Sequence, residues 1–110
     1  MDEMEAIAAF AALGQPTRLA VLRLLIQTGP DGMAAGEIAA ALDVRQNTLS
    51  TNLTILSQAG LIRGERHGRS IRYAVDMEGV RGLISFLLED CCKGRPELCR
   101  PLLDQIACAC

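Results

Sequence analysis

The chain has 110 residues, half of them hydrophobic and 22% charged, with a formal net charge of −2. This is the composition of one globular domain that needs no disulfides to fold; it excludes a disordered chain, and no apolar run nears the roughly 18 residues of a membrane span. A single histidine, His67, and no tryptophan leave no His-based catalytic triad and no multi-histidine zinc site.

The start, Met1-Asp2-Glu3-Met4-Glu5, is acidic where a secretory leader would be basic, so a cytoplasmic protein is expected. Residues 3–13 predict a short helix with Ala6, Ile7, Phe10, Ala11 and Leu13 as its apolar stripe. Gly14-Gln15-Pro16 breaks it, and Pro16 suits the first position of a second helix, in which Leu19, Leu22, Leu25 and Ile26 recur. Gly29-Pro30-Asp31-Gly32 ends that helix. A short helix at 35–42 is expected to bury Ile38, Ala39 and Leu42, and Asp43-Val44-Arg45 reads as a tight turn. The next helix, 46–59, has Leu49, Leu53 and Leu56 on one face and small polar residues elsewhere, with Gly60 as its stop.

The period then changes. Ile71-Arg72-Tyr73-Ala74-Val75 alternates as a strand does, Leu61 to Arg66 can pair with it, and His67-Gly68-Arg69 is the hairpin tip. Asp76 can cap a last long helix in which Met77, Val80, Ile84, Leu87 and Cys91 follow the 3,4 spacing of a helix–helix seam. Gly94 and Pro96 stop it. The elements divide the chain into a body, residues 1–92, and a tail, 93–110.

Two short helices joined by a three-residue turn and followed by a hairpin describe a winged helix-turn-helix, mainly α with a β-hairpin. In that motif the second helix enters the major groove of double-stranded DNA. An ordinary amphipathic helix with a solvated face has the same pattern, so the charge distribution matters. Between Arg45 and Arg72 stand Arg45, Arg63, Arg66, Arg69 and Arg72 against Glu65 alone, inside a chain that is acidic overall. Phosphate binding depends on such a local field. The candidate DNA contacts are Arg45, Gln46, Asn47, Thr48, Ser50, Thr51 and Asn52 on the helix, and Arg66, His67 and Arg69 at the hairpin tip.

All five cysteines, Cys91, Cys92, Cys99, Cys108 and Cys110, lie in the last 20 residues. An odd count confined to one end is a poor disulfide framework and points to metal binding, redox sensing or other thiol chemistry. The phosphatase-like Cys-x5-Arg loop of a thiol-dependent arsenate reductase is missing, and no enzyme activity is expected. Thiolates select soft, thiophilic centres.

Leu13-Gly14-Gln15-Pro16-Thr17-Arg18-Leu19 resembles the opening signature of the ArsR/SmtB family of metal-responsive repressors. Leu42 to Leu53 is similar to its helix-turn-helix, and Ala59-Gly60-Leu61-Ile62 with Gly68-Arg69-Ser70-Ile71-Arg72-Tyr73 to its wing. The chain departs from the family at Arg45, where a serine-type cap is usual, and at Asn52, which replaces a common histidine. The resemblance implies a homodimer paired through the first and last helices, with Ile7, Phe10, Met77, Val80, Ile84 and Leu87 at the interface, that leaves its operator DNA when a metal or metalloid binds. Glu37 to Leu42 lacks the cysteines of one family arsenic site, and the last helix lacks the Asp/His pairs of the usual zinc site. Cys91-Cys92-Lys93-Gly94-Arg95-Pro96-Glu97-Leu98-Cys99 resembles the C-terminal motif of an arsenite-responsive subgroup. That implies As(III), or Sb(III), held by Cys91, Cys92 and Cys99, with no organic cofactor and no membrane partner. A thiol redox switch and a cysteine-ligated zinc or cadmium site stay open beside it.

Overall fold

The computed structural model describes residues 1–88 and 96–108. Six helices and three short strands follow in the order α1 (Glu3–Leu13), α2 (Pro16–Thr28), β1 (Met33–Ala34), α3 (Ala35–Leu42), α4 (Gln46–Gln58), β2 (Ile62–His67), β3 (Ser70–Val75), α5 (Met77–Leu88) and α6 (Pro96–Cys108). This is the expected winged helix-turn-helix. No single helix among the described residues is long and apolar enough to cross a membrane.

Local chemistry sets the helix starts. Asp2 caps α1 by accepting the Glu5 amide at 2.8 Å, and that backbone hydrogen bond holds its carboxyl below the ordinary carboxylate range. The cap is therefore intact at neutral pH and lost as the pH falls through the lowered pKa. Gln15 caps α2 through the Arg18 amide, with Pro16 next to it at the start of the helix. Asp76 Oδ1 accepts the amides of Glu78 and Gly79, as its sequence position predicts.

The core is built on α4. Leu49, Leu53 and Leu56 are at most 1% exposed, and Val21, Leu25, Ile38, Leu61 and Ile62 close around them. On α1 the buried row is Ala6, Ala9 and Ala12, whereas Ile7 and Phe10 are 61% and 42% exposed. The expected stripe of Ala6, Ile7, Phe10, Ala11 and Leu13 combines residues of both kinds. Alanine lets α1 lie close to its neighbours, and the bulky side chains are left pointing outward.

The sheet order is β1-β3-β2, antiparallel throughout. The two-residue β1, which pairs Met33 with Tyr73 and Ala34 with Arg72, was not read from the sequence because two residues carry no periodicity. The wing pairs Ile62 with Val75 through to His67 with Ser70, so its turn has two residues, Gly68 and Arg69, and not three. Gly68 has φ +65°, the glycine-first pattern of a tight hairpin turn.

The helix α6 is an addition to the elements expected from the sequence. Pro96, expected to help end the helix before it, also opens a new one, where a missing N–H costs nothing; the expected stop itself, at Gly94, lies outside the described residues. Pro101 lies inside α6, and Leu98, Leu102, Leu103 and Ile106 are exposed.

At the junction of wing and α5, a Cβ on Gly79 would overlap the carbonyl oxygen of Gly60. Gly79→Ala should therefore push α5 off the α4–β2 turn and destabilise the protein by about 1–3 kcal/mol. Gly68→Ala meets no neighbouring atom and should cost only its backbone penalty, about 1–2 kcal/mol. Urea unfolding of both variants, with loss of α1–α5 packing expected only for Gly79→Ala, separates the two causes.

Candidate nucleic-acid interface

The turn between α3 and α4 is made by Asp43, at φ 54° the one non-glycine residue in the left-handed region among those described. Short polar side chains tolerate that region better than bulky ones. The Val44 amide closes on the Ala39 carbonyl at 3.1 Å, so the chain redirects within three residues and α4 is delivered with its leucines inward.

The opposite face of α4 is polar and open to solvent. Arg45, Gln46, Asn47, Thr48, Ser50 and Thr51 are all exposed. Arg45 provides no side-chain cap; Asn47 Oδ1 instead accepts the Thr48 amide at 2.8 Å, satisfying one of the orphan donors of the first turn. The Thr51 hydroxyl donates to the Asn47 carbonyl at 3.4 Å, which leaves its oxygen outward as an acceptor.

Asn52 does not belong with these. It is 6% exposed, and its Oδ1 accepts Arg18 Nη1 at 3.0 Å. Its position in the helix puts it on the inward side beside Leu49, Leu53 and Leu56, so it cannot reach a base edge. The sequence pattern missed this because Asn52 stands in an unbroken polar run with Ser50 and Thr51, and its partner lies 34 residues away. Without Arg18 the buried acceptor would be unsatisfied, at a cost of about 1–3 kcal/mol.

In the wing, Arg66, His67 and Arg69 are exposed at and beside the turn. His67 Nε2 lies 3.6 Å from Glu65 Oε2 with both groups open to solvent, a contact worth little. Arg72 plays a different part from the other arginines. Its Nη2 donates to the Gly32 carbonyl at 2.9 Å and its Nε to the Asp31 carbonyl at 3.3 Å, while Nη1 reaches Glu37 Oε1 at 3.5 Å. Glu37 in turn accepts the Ala34 amide at the start of α3. Arg72 thus ties the wing to the helix-turn-helix, and Arg45, Arg63, Arg66 and Arg69 remain as the outward basic groups against Glu65.

The helices proposed to pair lie side by side, α1 packing on α5. Ile7, Phe10, Met77, Ile84 and Leu87 are all at least 42% exposed. Val80 is different: it is half-buried against the core of its own chain. Of the three predicted metalloid ligands, Cys91 and Cys92 lie outside the described residues. Cys99 is half-buried on α6 and disulfide-bonded. Among the described residues no three His, Cys, Asp or Glu side chains form a metal-binding group.

The helix-turn-helix domain family matches residues 13–65. The transcriptional repressor SdpR of Bacillus subtilis is 35% identical over 89 residues, which cover 81% of this chain and 96% of that one. The ArsR-like transcriptional regulator of a Rhodococcus species superposes with a TM-score of 0.70 at 26% identity, covering 94% of this chain and 93% of the other. The chain belongs to the ArsR/SmtB family of winged-helix transcriptional regulators. A further structure, the homodimeric winged helix-turn-helix DNA-binding domain of a possible ArsR-family regulator from Mycobacterium bovis, has a TM-score of 0.64 at 28% identity and covers 78% of this chain and 80% of that one. In this ArsR/SmtB chain the helix-turn-helix comprises α3 and α4, and the wing β2 and β3.

The division between outward and tied arginines is testable. Arg66→Ala and Arg69→Ala should weaken binding to every duplex and each flatten the salt dependence by up to about one unit of slope. Asn47→Ala and Thr51→Ala should instead alter discrimination between operator variants. Arg72→Ala should lower the melting temperature, because it removes the tie between wing and α3. Anisotropy titrations at several salt concentrations, with thermal melts of the same samples, read all three effects.

Proposed function

We propose that this protein is a transcriptional repressor that binds operator DNA as a homodimer and is released when trivalent arsenic, or antimony, binds Cys91, Cys92 and Cys99. The observation that carries the DNA part is the two-sidedness of α4: its leucines are sealed in the core, while six consecutive or near-consecutive polar side chains are exposed, as are the arginines of the wing tip. The dimer is supported by the bulky apolar residues that α1 and α5 leave exposed. A two-fold dimer presents two reading helices about one DNA turn apart, so the operator should be an imperfect palindrome.

The metalloid reading rests on the donor set. Arsenous acid condenses with three thiols, forming three As–S bonds and releasing three waters, and needs no fourth ligand. Soft thiolates favour such a centre over hard cations. The reduced chain is the competent form, since a cysteine held in a disulfide has no thiolate to give. The site would lie at the end of the helix that pairs the subunits, so organising it can bias how they pair and hence the separation of the reading helices.

A second reading, a thiol redox switch, has one observation in its favour: Cys99 is disulfide-bonded. Oxidation would then replace arsenite as the signal. Mobility-shift assays on the DNA upstream of the protein's own gene separate the two. Under a monothiol or phosphine reductant, arsenite alone should release the protein; release by peroxide without arsenic would favour the redox switch.

Cys91→Ser, Cys92→Ser and Cys99→Ser should each keep operator binding and lose release by arsenite, while Cys108→Ser and Cys110→Ser should have little effect. Coupling between the sites is reciprocal. Saturating operator should therefore weaken arsenite binding by the same factor as arsenite weakens DNA binding, on the usual scale of roughly 5- to 150-fold. Equal arsenite affinity with and without operator excludes the mechanism. Leu87→Asp should give monomers in sedimentation that no longer bind DNA, and a dimeric Leu87→Asp at micromolar concentration would remove α5 from the interface.

A further inference from the structure

Asn52 is the one buried polar side chain among the described residues, and the group that satisfies it does more than fill an acceptor. Arg18 is half-buried near the start of α2, its own amide donating to Gln15 Oε1 at 2.8 Å. Its Nη1 donates to Asn52 Oδ1 in the middle of α4, and its Nε to the carbonyl of Ala12 in the last turn of α1. One guanidinium therefore joins the helix that carries Met4, Ile7 and Phe10 outward to the helix that carries Gln46, Asn47 and Thr51 outward.

The remaining contact between α1 and α4 is apolar. Alanine against leucine is close but non-directional, and it tolerates small slides and rotations of one helix on the other. A guanidinium is planar, with its donors in a rigid fork. Two hydrogen bonds from that plane, one to each helix, fix both the position of α4 along α1 and its rotation.

We propose that Arg18, acting with Asn52, is a positioning residue for DNA binding: it transmits the setting of the α1 pairing face to the reading helix, so that subunit pairing dictates the separation of the two reading helices. The inference rests on the dimeric, operator-binding reading above. Arg18 touches no DNA in this scheme; it decides which half-site spacing the dimer accepts.

The test uses the full-length protein and three duplexes. One is an inverted repeat selected by the unmodified protein; the others have one base pair added or removed at its centre, which shifts the half-sites by about 3.4 Å and turns them by about 35°. The unmodified protein should prefer the selected spacing by about tenfold or more. Arg18→Lys keeps the charge but not the fork, and Asn52→Leu removes the acceptor with a side chain of similar volume. Both variants should remain dimeric by sedimentation and bind the three duplexes within about threefold of one another. Asn52→Asp keeps an acceptor on the same stem and should restore the preference. A purely structural role would lower affinity for all three duplexes by one common factor and leave the ratio unchanged, which overturns the proposal; if Arg18→Lys proves too unstable to assay, the Asn52→Leu ratio decides alone. An unmodified protein with no spacing preference would overturn the dimer reading and the proposal with it, whereas a preference retained in both variants overturns the proposal only.

Discussion

The burial of Leu49, Leu53 and Leu56 on the inner side of α4 is the contact on which the other elements converge, since α1, α2, α3 and β2 all pack against that helix. Removing one such leucine leaves a cavity at a cost of about 2–5 kcal/mol, a large share of the 5–15 kcal/mol that typically holds a domain of this size together. The helix proposed to read DNA is thus also the central strut of the core. It cannot shift without the core shifting, and its outer face, which contributes nothing to packing, is free to carry whatever side chains DNA recognition requires.

Hydrogen bonds complete what apolar packing leaves loose. Arg18 joins α1 to α4 and Arg72 joins the wing to the start of α3, one arginine at each junction. These two cations are held inward, whereas Arg45, Arg63, Arg66 and Arg69 are exposed. A protein with a net charge of −2 can then present a basic wing tip within an acidic whole, which favours docking in one orientation over general adhesion to polyanions.

The elements whose residues repeat were legible in the sequence. The leucines of α4, the alternation of β3 and the capping role of Asp76 all follow from local spacing, α2 and α3 stand where their punctuation put them, and α5 starts where Asp76 put it. What was not legible depends on distant partners or on length. Asn52 looks like its polar neighbours until Arg18 is brought to it from 34 positions away. Ile7 and Ala6 are both apolar, and only packing tells that the smaller one is buried and the larger one exposed. The strand β1 is too short to show a period. Pro96 is ambiguous in principle, because a residue that cannot continue a helix is also well suited to begin one. For the candidate DNA contacts, composition found the surface but could not tell its inner edge from its outer one.

Among the described residues the strand order places β2 at an open edge of the sheet, with β3 between it and the two-residue β1. An unpaired strand edge invites another strand to add to it, and proteins protect such edges with charge. Along β2 stand Arg63, Glu65, Arg66 and His67, all exposed. The residues proposed to give the wing its attraction for phosphate therefore also guard its edge against sheet extension. Exchanging them for apolar residues to retune DNA affinity would leave a flat, uncharged edge, and the expected failure of such variants is self-association through the wing before any loss of the fold.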